Sequence, residues 1–274
     1  MVKLASNGLA AAGGAPPARI PVISMRLLAL SLSIGALALT VVSLGPSSTA
    51  QPANTDIYRS YIYGEPAHPG EDWILAYGGR LYDLWWAPLE KETPTTTNPS
   101  YPKNGPLKGA ATWRCVSCHG WDYRGNPKLG FPSLRPDVGR DPAEIAKIIR
   151  NSNHGYTPDM IPDEALQRLA LFVSKGQVDM TALIDSTGHA KGNPAHGRDL
   201  YQNVCAICHD YDGRAYIEGE QEGLNTLAAV ANAVPREALH KMINGQPSAD
   251  MVSLRVLGPH YAADILAYAQ SLKE

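Results

Sequence analysis

A pentapeptide pattern, C-x-x-C-H, occurs twice in this chain of 274 residues, as Cys115-Val116-Ser117-Cys118-His119 and as Cys205-Ala206-Ile207-Cys208-His209. Together the two copies contain all four cysteines of the sequence. The spacing lets two thiols form thioether bonds to the vinyl groups of one haem, and it puts the histidine beneath the ring as an iron ligand. The sequence therefore predicts two haem c groups, attached through Cys115, Cys118, Cys205 and Cys208 and ligated by His119 and His209.

Other uses of paired cysteines fit the pattern less well. A thioredoxin-like dithiol, a zinc site or structural disulfides would each use C-x-x-C pairs, but none predicts a histidine directly after both second cysteines. A zinc ribbon separates its pairs by roughly 15–20 residues, whereas Cys115 and Cys205 are 90 positions apart. Covalent haem attachment is the interpretation that explains both cysteines and the histidine of each motif.

The N-terminal 50 residues have the composition of an export signal. Met25-Arg26 supplies a positive start, residues 27–44 are an uncharged apolar run, and Ser48-Thr49-Ala50 offers a small-residue cleavage site. We expect residues 1–50 to be a signal peptide, with Met25 a second possible start, and the mature chain to be periplasmic. If the apolar run stayed uncleaved, it would instead be a short membrane anchor.

The charge of the expected mature chain is mildly acidic. Without its first 50 residues, which hold three basic residues and no acidic one, the chain has 21 basic and 26 acidic residues, a formal charge of −5. This balance argues against nucleic acid as a partner. It suits a soluble surface or docking to a basic redox protein.

The chain repeats itself around the two motifs. A Gly-x-x-Leu-Tyr pattern ends at Tyr82 and again at Tyr201, and each copy precedes its own C-x-x-C-H. Further on, matching segments with helical periodicity follow each motif, and each half then closes on an amphipathic helix. These matching segments are residues 144–151 and 237–244, and the closing helices are residues 163–175 and 261–272. Two domains of one kind are predicted.

The order of these features resembles class I cytochrome c. That family has an N-terminal helix with a glycine and an aromatic residue, the haem motif, a loop, a helix, a methionine and a C-terminal helix. Gly197 stands eight residues before Cys205, as is common in the family, where the glycine lets the terminal helices cross closely. The resemblance implies a mainly α fold of two tandem cytochrome c-type domains, over residues 75–180 and 193–274, joined by a linker at residues 181–192.

The first half departs from a minimal domain of that family. A Pro-, Thr- and Asn-rich insertion, residues 94–106, separates Tyr82 from Cys115. An irregular extension, residues 51–74, precedes the first domain and belongs to neither repeat. We expect the extension to cover the first domain or to form a partner surface.

The sixth iron ligand decides what such haems can do, because methionine closes the site and raises the potential whereas an open position permits catalysis. Met160 lies 41 residues after His119, and Met251 lies 42 residues after His209. This equal spacing within a repeat predicts Met160 and Met251 as axial ligands. Met180, Met242, His154 and His240 are the alternatives; His154 is the strongest, because its loop lies near the distal side.

On the proximal side, class I cytochromes often use a proline carbonyl to accept a hydrogen bond from the iron-ligating histidine. Residues 131–134, with Pro132, could supply that carbonyl in the first half. No proline stands between His209 and Pro235, so another carbonyl is expected there.

Two functions compete. The first is an electron carrier with both irons six-coordinate, no catalytic residues and redox proteins as donor and acceptor, either freestanding or held by a stable partner subunit. The second is a dihaem redox enzyme, or the cytochrome subunit of a periplasmic dehydrogenase or reductase complex. Because both methionines would close their irons, the sequence favours the carrier.

Overall fold

We describe residues 66–215 and 224–274 of a computed structural model. The expected signal peptide and most of the N-terminal extension lie outside these residues. In the described part the secondary structure is helical, and the only β-type pairings are isolated bridges, Asn126 with Phe131 and Ile184 with Ala190. The prediction of a mainly α fold is confirmed. Across these two ranges, every helix is too short or too polar to cross a membrane.

Ten α-helices are described in chain order, with 3₁₀ turns of three or five residues between some of them. Two of these helices, α4 and α6, continue into a π-helical turn, Phe172–Gly176 and Tyr201–Cys205 respectively. The helices are α1 Glu71–Leu84, α2 Cys115–His119, α3 Pro142–Ile149, α4 Asp163–Leu171, α5 Met180–Leu183, α6 Pro194–Leu200, α7 Ala206–His209, α8 Leu227–Ala233, α9 Pro235–Asn244 and α10 Pro259–Ser271.

In the first half, α1 packs across α4, the helix that closes this part of the repeat. The contact is close at Gly78, where a Cβ atom would lie 2.6 Å from the carbonyl oxygen of Arg168 and 2.6 Å from Cβ of Phe172. A side chain there would have to displace backbone, so only glycine permits this crossing. Helix α1 begins at Glu71, a few residues before the domain start that the sequence predicted.

The second half repeats this arrangement with α6 and α10. A Cβ atom on Gly197 would overlap the backbone carbonyl group of Asp264 in α10. The expected close crossing at this glycine is confirmed, and it corresponds to the crossing at Gly78 in the first half.

Helices α3 and α9 occupy matching places in the repeat, as the sequence predicted. Each has a proline in its first turn, where the missing N–H has no helical partner to lose. The buried face of α3 carries Ile145, Ala146 and Ile149, and that of α9 includes Leu239 and Ile243.

The two halves also share a buried polar contact. His240 of α9 is fully buried, with Nε2 2.9 Å from the carbonyl oxygen of Gly79 in α1 and Nδ1 3.2 Å from the hydroxyl of Tyr123. Nearby, Nε of Arg80 donates to the carbonyl oxygen of Asn244 at 2.8 Å. Residues 66–215 and 224–274 therefore belong to one compact unit rather than to two separated bodies.

Candidate haem-binding sites

The first C-x-x-C-H motif forms the short helix α2, which ends at Gly120 with a φ of 75°. Cys115 and Cys118 carry free thiols, and both line one cavity. Burial raises the pKa of the Cys115 thiol to about 12 and that of Cys118 to about 11. Both sulfurs in the cavity lining are therefore protonated thiols at neutral pH.

His119 has one ring nitrogen fixed by the backbone. Its Nδ1 lies 2.9 Å from the carbonyl oxygen of Pro132. Because a carbonyl only accepts, Nδ1 carries the proton and Nε2 carries the lone pair. Burial lowers the pKa of His119, which favours this neutral form. The proline carbonyl predicted from the sequence is confirmed as the partner of His119.

The cavity beside this motif has a volume of about 670 Å³, within the range of pockets that bind organic cofactors. Apolar side chains form much of its lining, which also includes the two thiols and His119. The apolar lining residues include Leu129, Phe131, Leu134, Ile145, Ile149, Leu169 and Val173. Two thiols, one nitrogen lone pair and an apolar enclosure are what a covalently attached haem requires, so the residues present fit that group.

Aromatic side chains hold the segment before Cys115, and one of them, Tyr156, also lines the cavity. The hydroxyl of Tyr156 donates to the carbonyl oxygen of Trp113 at 2.7 Å, and Nε1 of Trp85 donates to the same oxygen at 3.0 Å. Tyr156 and Trp113 also pack edge to face, with ring centroids 5.8 Å apart. These bonds hold the residues just before Cys115 in place.

The repeat has the same hydrogen bond in both halves. The hydroxyl of Tyr82 donates to the carbonyl oxygen of Gly120 at 2.7 Å, and that of Tyr201 donates to the carbonyl oxygen of Asp210 at 2.7 Å. Gly120 and Asp210 each follow the histidine of a C-x-x-C-H motif. Each tyrosine therefore ties the N-terminal helix of its half to the end of its motif.

His154 is a second histidine in the lining of the first cavity. This histidine lines the cavity, and its ring centroid lies 6.3 Å from that of His119, with 29° between the ring planes. Met160 is half-buried against the core, and it is not among the residues that line the cavity. Met160 as an axial ligand stays a prediction. His119 and His154 both line this cavity.

The second motif spans the end of a π-helical turn and helix α7. Nδ1 of His209 lies 3.1 Å from the carbonyl oxygen of Ala215, the non-proline carbonyl that this half was expected to need. Burial raises the pKa of the Cys205 thiol to about 11. Met251 is half-buried against the core, and its assignment as a ligand stays a prediction. Residues 216–223, which follow His209 closely, are outside the described ranges.

The remaining alternatives for a ligand lie elsewhere in the core. Met180 and Met242 are buried among apolar side chains, and both ring nitrogens of His240 are engaged at the junction of the two halves. Within the described ranges, histidine, cysteine, aspartate and glutamate side chains form no cluster of three or more that could hold a metal ion. The described residues therefore contain no group of side chains that could form a four-ligand zinc site.

The insertion at residues 94–106 had no predicted role at the site, but in the structure it contacts the cavity. Nδ2 of Asn98 donates to the carbonyl oxygen of His154 at 3.2 Å, and Tyr101 lines the cavity. The carbonyl oxygen of Thr96 accepts from Nε1 of Trp113 at 2.7 Å. The insertion therefore closes one side of the cavity and holds the backbone of His154. The Asn and Tyr side chains of the insertion can form hydrogen bonds, but the sequence alone does not identify the residues that they contact.

Residues 106–173 match the family described as cytochrome c oxidase, cbb3-type, subunit III. The matched stretch contains the first C-x-x-C-H motif, His154 and Met160. This stretch of the chain is thus cytochrome c-like in sequence as well as helical in structure.

Curated relatives are subunits of respiratory complexes. The chain is 28% identical over 116 residues to the cbb3-type cytochrome c oxidase subunit CcoP of Cereibacter sphaeroides, covering 38% of this chain and 39% of that protein. It is 28% identical over 177 residues to the cytochrome bc1 complex cytochrome c subunit of Mycobacterium tuberculosis, covering 58% of this chain and 60% of that protein. The chain thus spans less than two thirds of the length of these relatives.

Proposed function

We propose that this protein is a c-type cytochrome that carries electrons between redox partners through two covalently bound haems. The observation that carries the proposal is the pairing, at the first motif, of two free thiols and a backbone-fixed histidine on the wall of one apolar cavity. The second motif has the same residue order and the same type of histidine-to-carbonyl bond. Haem, when bound, would supply a metal that gains and loses one electron.

The chain's own residues supply the rest. Cys115 and Cys118 in the first half, and Cys205 and Cys208 in the second, would hold each ring through thioether bonds. His119 and His209 would present Nε2 to the metal, because each Nδ1 is committed to a carbonyl oxygen. Met251 is the proposed sixth ligand in the second half. In the first half the candidates are Met160, from the sequence repeat, and His154, from the cavity.

The proposed domain division follows the repeat. We assign residues 75–180 and 193–274 to two cytochrome c-type domains, with a linker at residues 181–192 and an N-terminal extension at residues 51–74. The matched glycine crossings at Gly78 and Gly197, and the matched bonds of Tyr82 and Tyr201, support this division.

The proposed location is the periplasm, after removal of residues 1–50, since covalent haem attachment to cysteine thiols follows export in proteins with this motif. The proposed partners are a redox donor and acceptor. A stable partner subunit is supported by the relatives, whose names place them in an oxidase and in a bc1 complex. The second candidate, a redox enzyme or the cytochrome subunit of a dehydrogenase or reductase, differs in needing an iron that substrate can reach.

Mass spectrometry of the exported protein, with both proposed domains present, tests the haem assignment. We expect two haem adducts on the native chain and one on each of two double variants, Cys115→Ala with Cys118→Ala, and Cys205→Ala with Cys208→Ala. A native chain with fewer than two adducts would contradict the proposal.

Binding of carbon monoxide to the reduced protein distinguishes an electron carrier from a redox enzyme. A carrier whose irons both have six protein ligands should bind this gas poorly when reduced, because no coordination position is open. Rapid binding of one equivalent at neutral pH would favour the enzyme instead.

A further inference from the structure

Two imidazoles face the same cavity in the first half of the chain. His119 lies beside the attachment cysteines, and His154 reaches the cavity from the loop after helix α3. Their ring centroids are 6.3 Å apart. Met160, six residues further on, is outside the cavity lining.

Both rings have the same hydrogen-bonding state. Nδ1 of His154 lies 2.9 Å from the carbonyl oxygen of Ile148, as Nδ1 of His119 lies 2.9 Å from that of Pro132. A carbonyl accepts only, so Nδ1 carries the proton in each ring and Nε2 is the nitrogen with a lone pair. Among the described residues, neither Nε2 has a hydrogen-bond partner. Two metal-binding nitrogens are thus left for whatever fills the cavity.

The spacing of the rings suits one metal ligated by both. An imidazole nitrogen binds a transition metal at about 2.0–2.1 Å, and each ring centre lies about 1.2 Å behind that nitrogen, so two such rings have centroids roughly 6–6.5 Å apart. The observed 6.3 Å falls in this range.

The backbone of His154 is held by the insertion that distinguishes this half. Asn98 donates from Nδ2 to the His154 carbonyl oxygen at 3.2 Å, and Asn98 itself is buried, with its N–H bonded to Oγ1 of Thr112 at 2.8 Å. A ring bonded through Nδ1 on a backbone fixed in this way has little freedom to leave the cavity. Asn98 is a positioning residue for His154.

We propose that His154 would be the second protein ligand of the first haem iron, together with His119, and that Met160 is not. The inference rests on the proposed function, since it needs haem at the first motif. In the second half Gln246 stands in the corresponding region, so this arrangement has no counterpart there. Histidine in place of methionine lowers the potential, so the first haem should have the lower potential of the two.

Near-infrared magnetic circular dichroism of the oxidised full-length protein tests the assignment, because it separates histidine–histidine from histidine–methionine iron. We expect the native protein to show the histidine–histidine signature. His154→Ala should lose that signature, and added imidazole should restore it by filling the vacated position. Met160→Leu and His68→Ala, a change at an exposed histidine, should leave the native spectrum unchanged. Asn98→Ala should shift the potential of one haem only.

A His154→Ala spectrum identical to the native one would overturn the proposal. Loss of methionine ligation in Met160→Leu would overturn it too, and this second variant decides the question if His154→Ala fails to fold. Counting haem adducts by mass separates this outcome from failure of the proposed function. Two adducts with an unchanged His154→Ala spectrum would reject His154 alone, whereas fewer than two adducts in the native chain would reject the haem assignment itself.

Discussion

Nε2 of His240 lies 2.9 Å from the carbonyl oxygen of Gly79, a hydrogen bond between two residues 161 positions apart that joins the two halves of the repeat. Because a carbonyl only accepts, the proton is on Nε2, and Nδ1 accepts from the Tyr123 hydroxyl at 3.2 Å. One fully buried imidazole thus receives one hydrogen bond and gives another, with both polar neighbours satisfied.

Replacing this imidazole should destabilise the protein. His240→Gln cannot reach both partners with the same geometry, and leaving a buried polar group without its bond costs about 1–3 kcal/mol. We expect a loss of about 2–3 kcal/mol in the free energy of unfolding, measured by urea denaturation followed by circular dichroism. His68→Gln, at an exposed position, is the control and should change little. Equal stability of the two variants would contradict this role for His240.

The same residue should make stability depend on pH. Burial lowers the pKa of His240 to about 3, whereas the unfolded chain has a value of about 6.5. Between these values the unfolded state binds more protons, so the free energy of unfolding falls as pH drops below about 6.5, by up to about 1.4 kcal/mol per pH unit. Above that pH the contribution is complete. Urea midpoints at about pH 5 and about pH 7 should differ less in His240→Gln than in the native protein.

Helices whose residues follow a local apolar pattern could be predicted from the sequence. The periodic apolar residues of the helix at residues 163–175 and of its counterpart near the C-terminus gave α4 and α10, because burial of one helical face leaves a repeat of about 3.6 residues. The resemblance to class I cytochrome c implied a helix crossing at Gly197, and the structure has the crossing there. The same resemblance implied a proline carbonyl as the partner of His119, and Pro132 supplies it.

Contacts between segments that are far apart in the sequence could not be predicted from local patterns. His240 stood in a helical run, where its burial against Gly79 could not be read from neighbouring residues. The contact of Asn98 with His154 joins residues 56 positions apart and depends on how an irregular insertion folds. Near-equal spacing within the repeat favoured Met160, whereas only the cavity shows that His154 faces His119.

The crossing of α6 and α10 should not tolerate a side chain. In Gly197→Ala the new methyl group would overlap the Asp264 carbonyl group, so the two helices would have to separate. We expect a loss of about 2–3 kcal/mol in the free energy of unfolding, the usual cost of overpacking a core contact. Gly70→Ala, where a Cβ atom would meet nothing within 4 Å, should cost about 0.5 kcal/mol. Comparable thermal midpoints for both variants would show that the helices cross less closely.

The tyrosine bond to the first motif should contribute a smaller amount. Tyr82→Phe removes the donor to Gly120, but that carbonyl oxygen keeps a second bond from the backbone N–H of Tyr123 at 3.2 Å. We therefore expect a loss of about 1 kcal/mol, the net value of one hydrogen bond. Tyr211→Phe, at a side chain that is 69% exposed, is the matched control and should be neutral. If Tyr82→Phe left the free energy of unfolding unchanged, the hydrogen bond from the Tyr82 hydroxyl would not contribute to stability.

The second haem offers a test of methionine ligation outside the first cavity. If Met251 is the sixth ligand, Met251→Ala should remove the weak near-infrared methionine–iron band and lower the potential of one haem, because thioether sulfur stabilises the reduced iron. The opened position should also let the reduced protein bind about one equivalent of carbon monoxide, which the native protein should exclude. Met180→Leu, a change within the buried core, keeps a side chain of similar volume and should leave the band and the gas binding as they are. A Met251→Ala protein with the native band intensity, the native potentials and no carbon monoxide binding would show that another residue closes the second site.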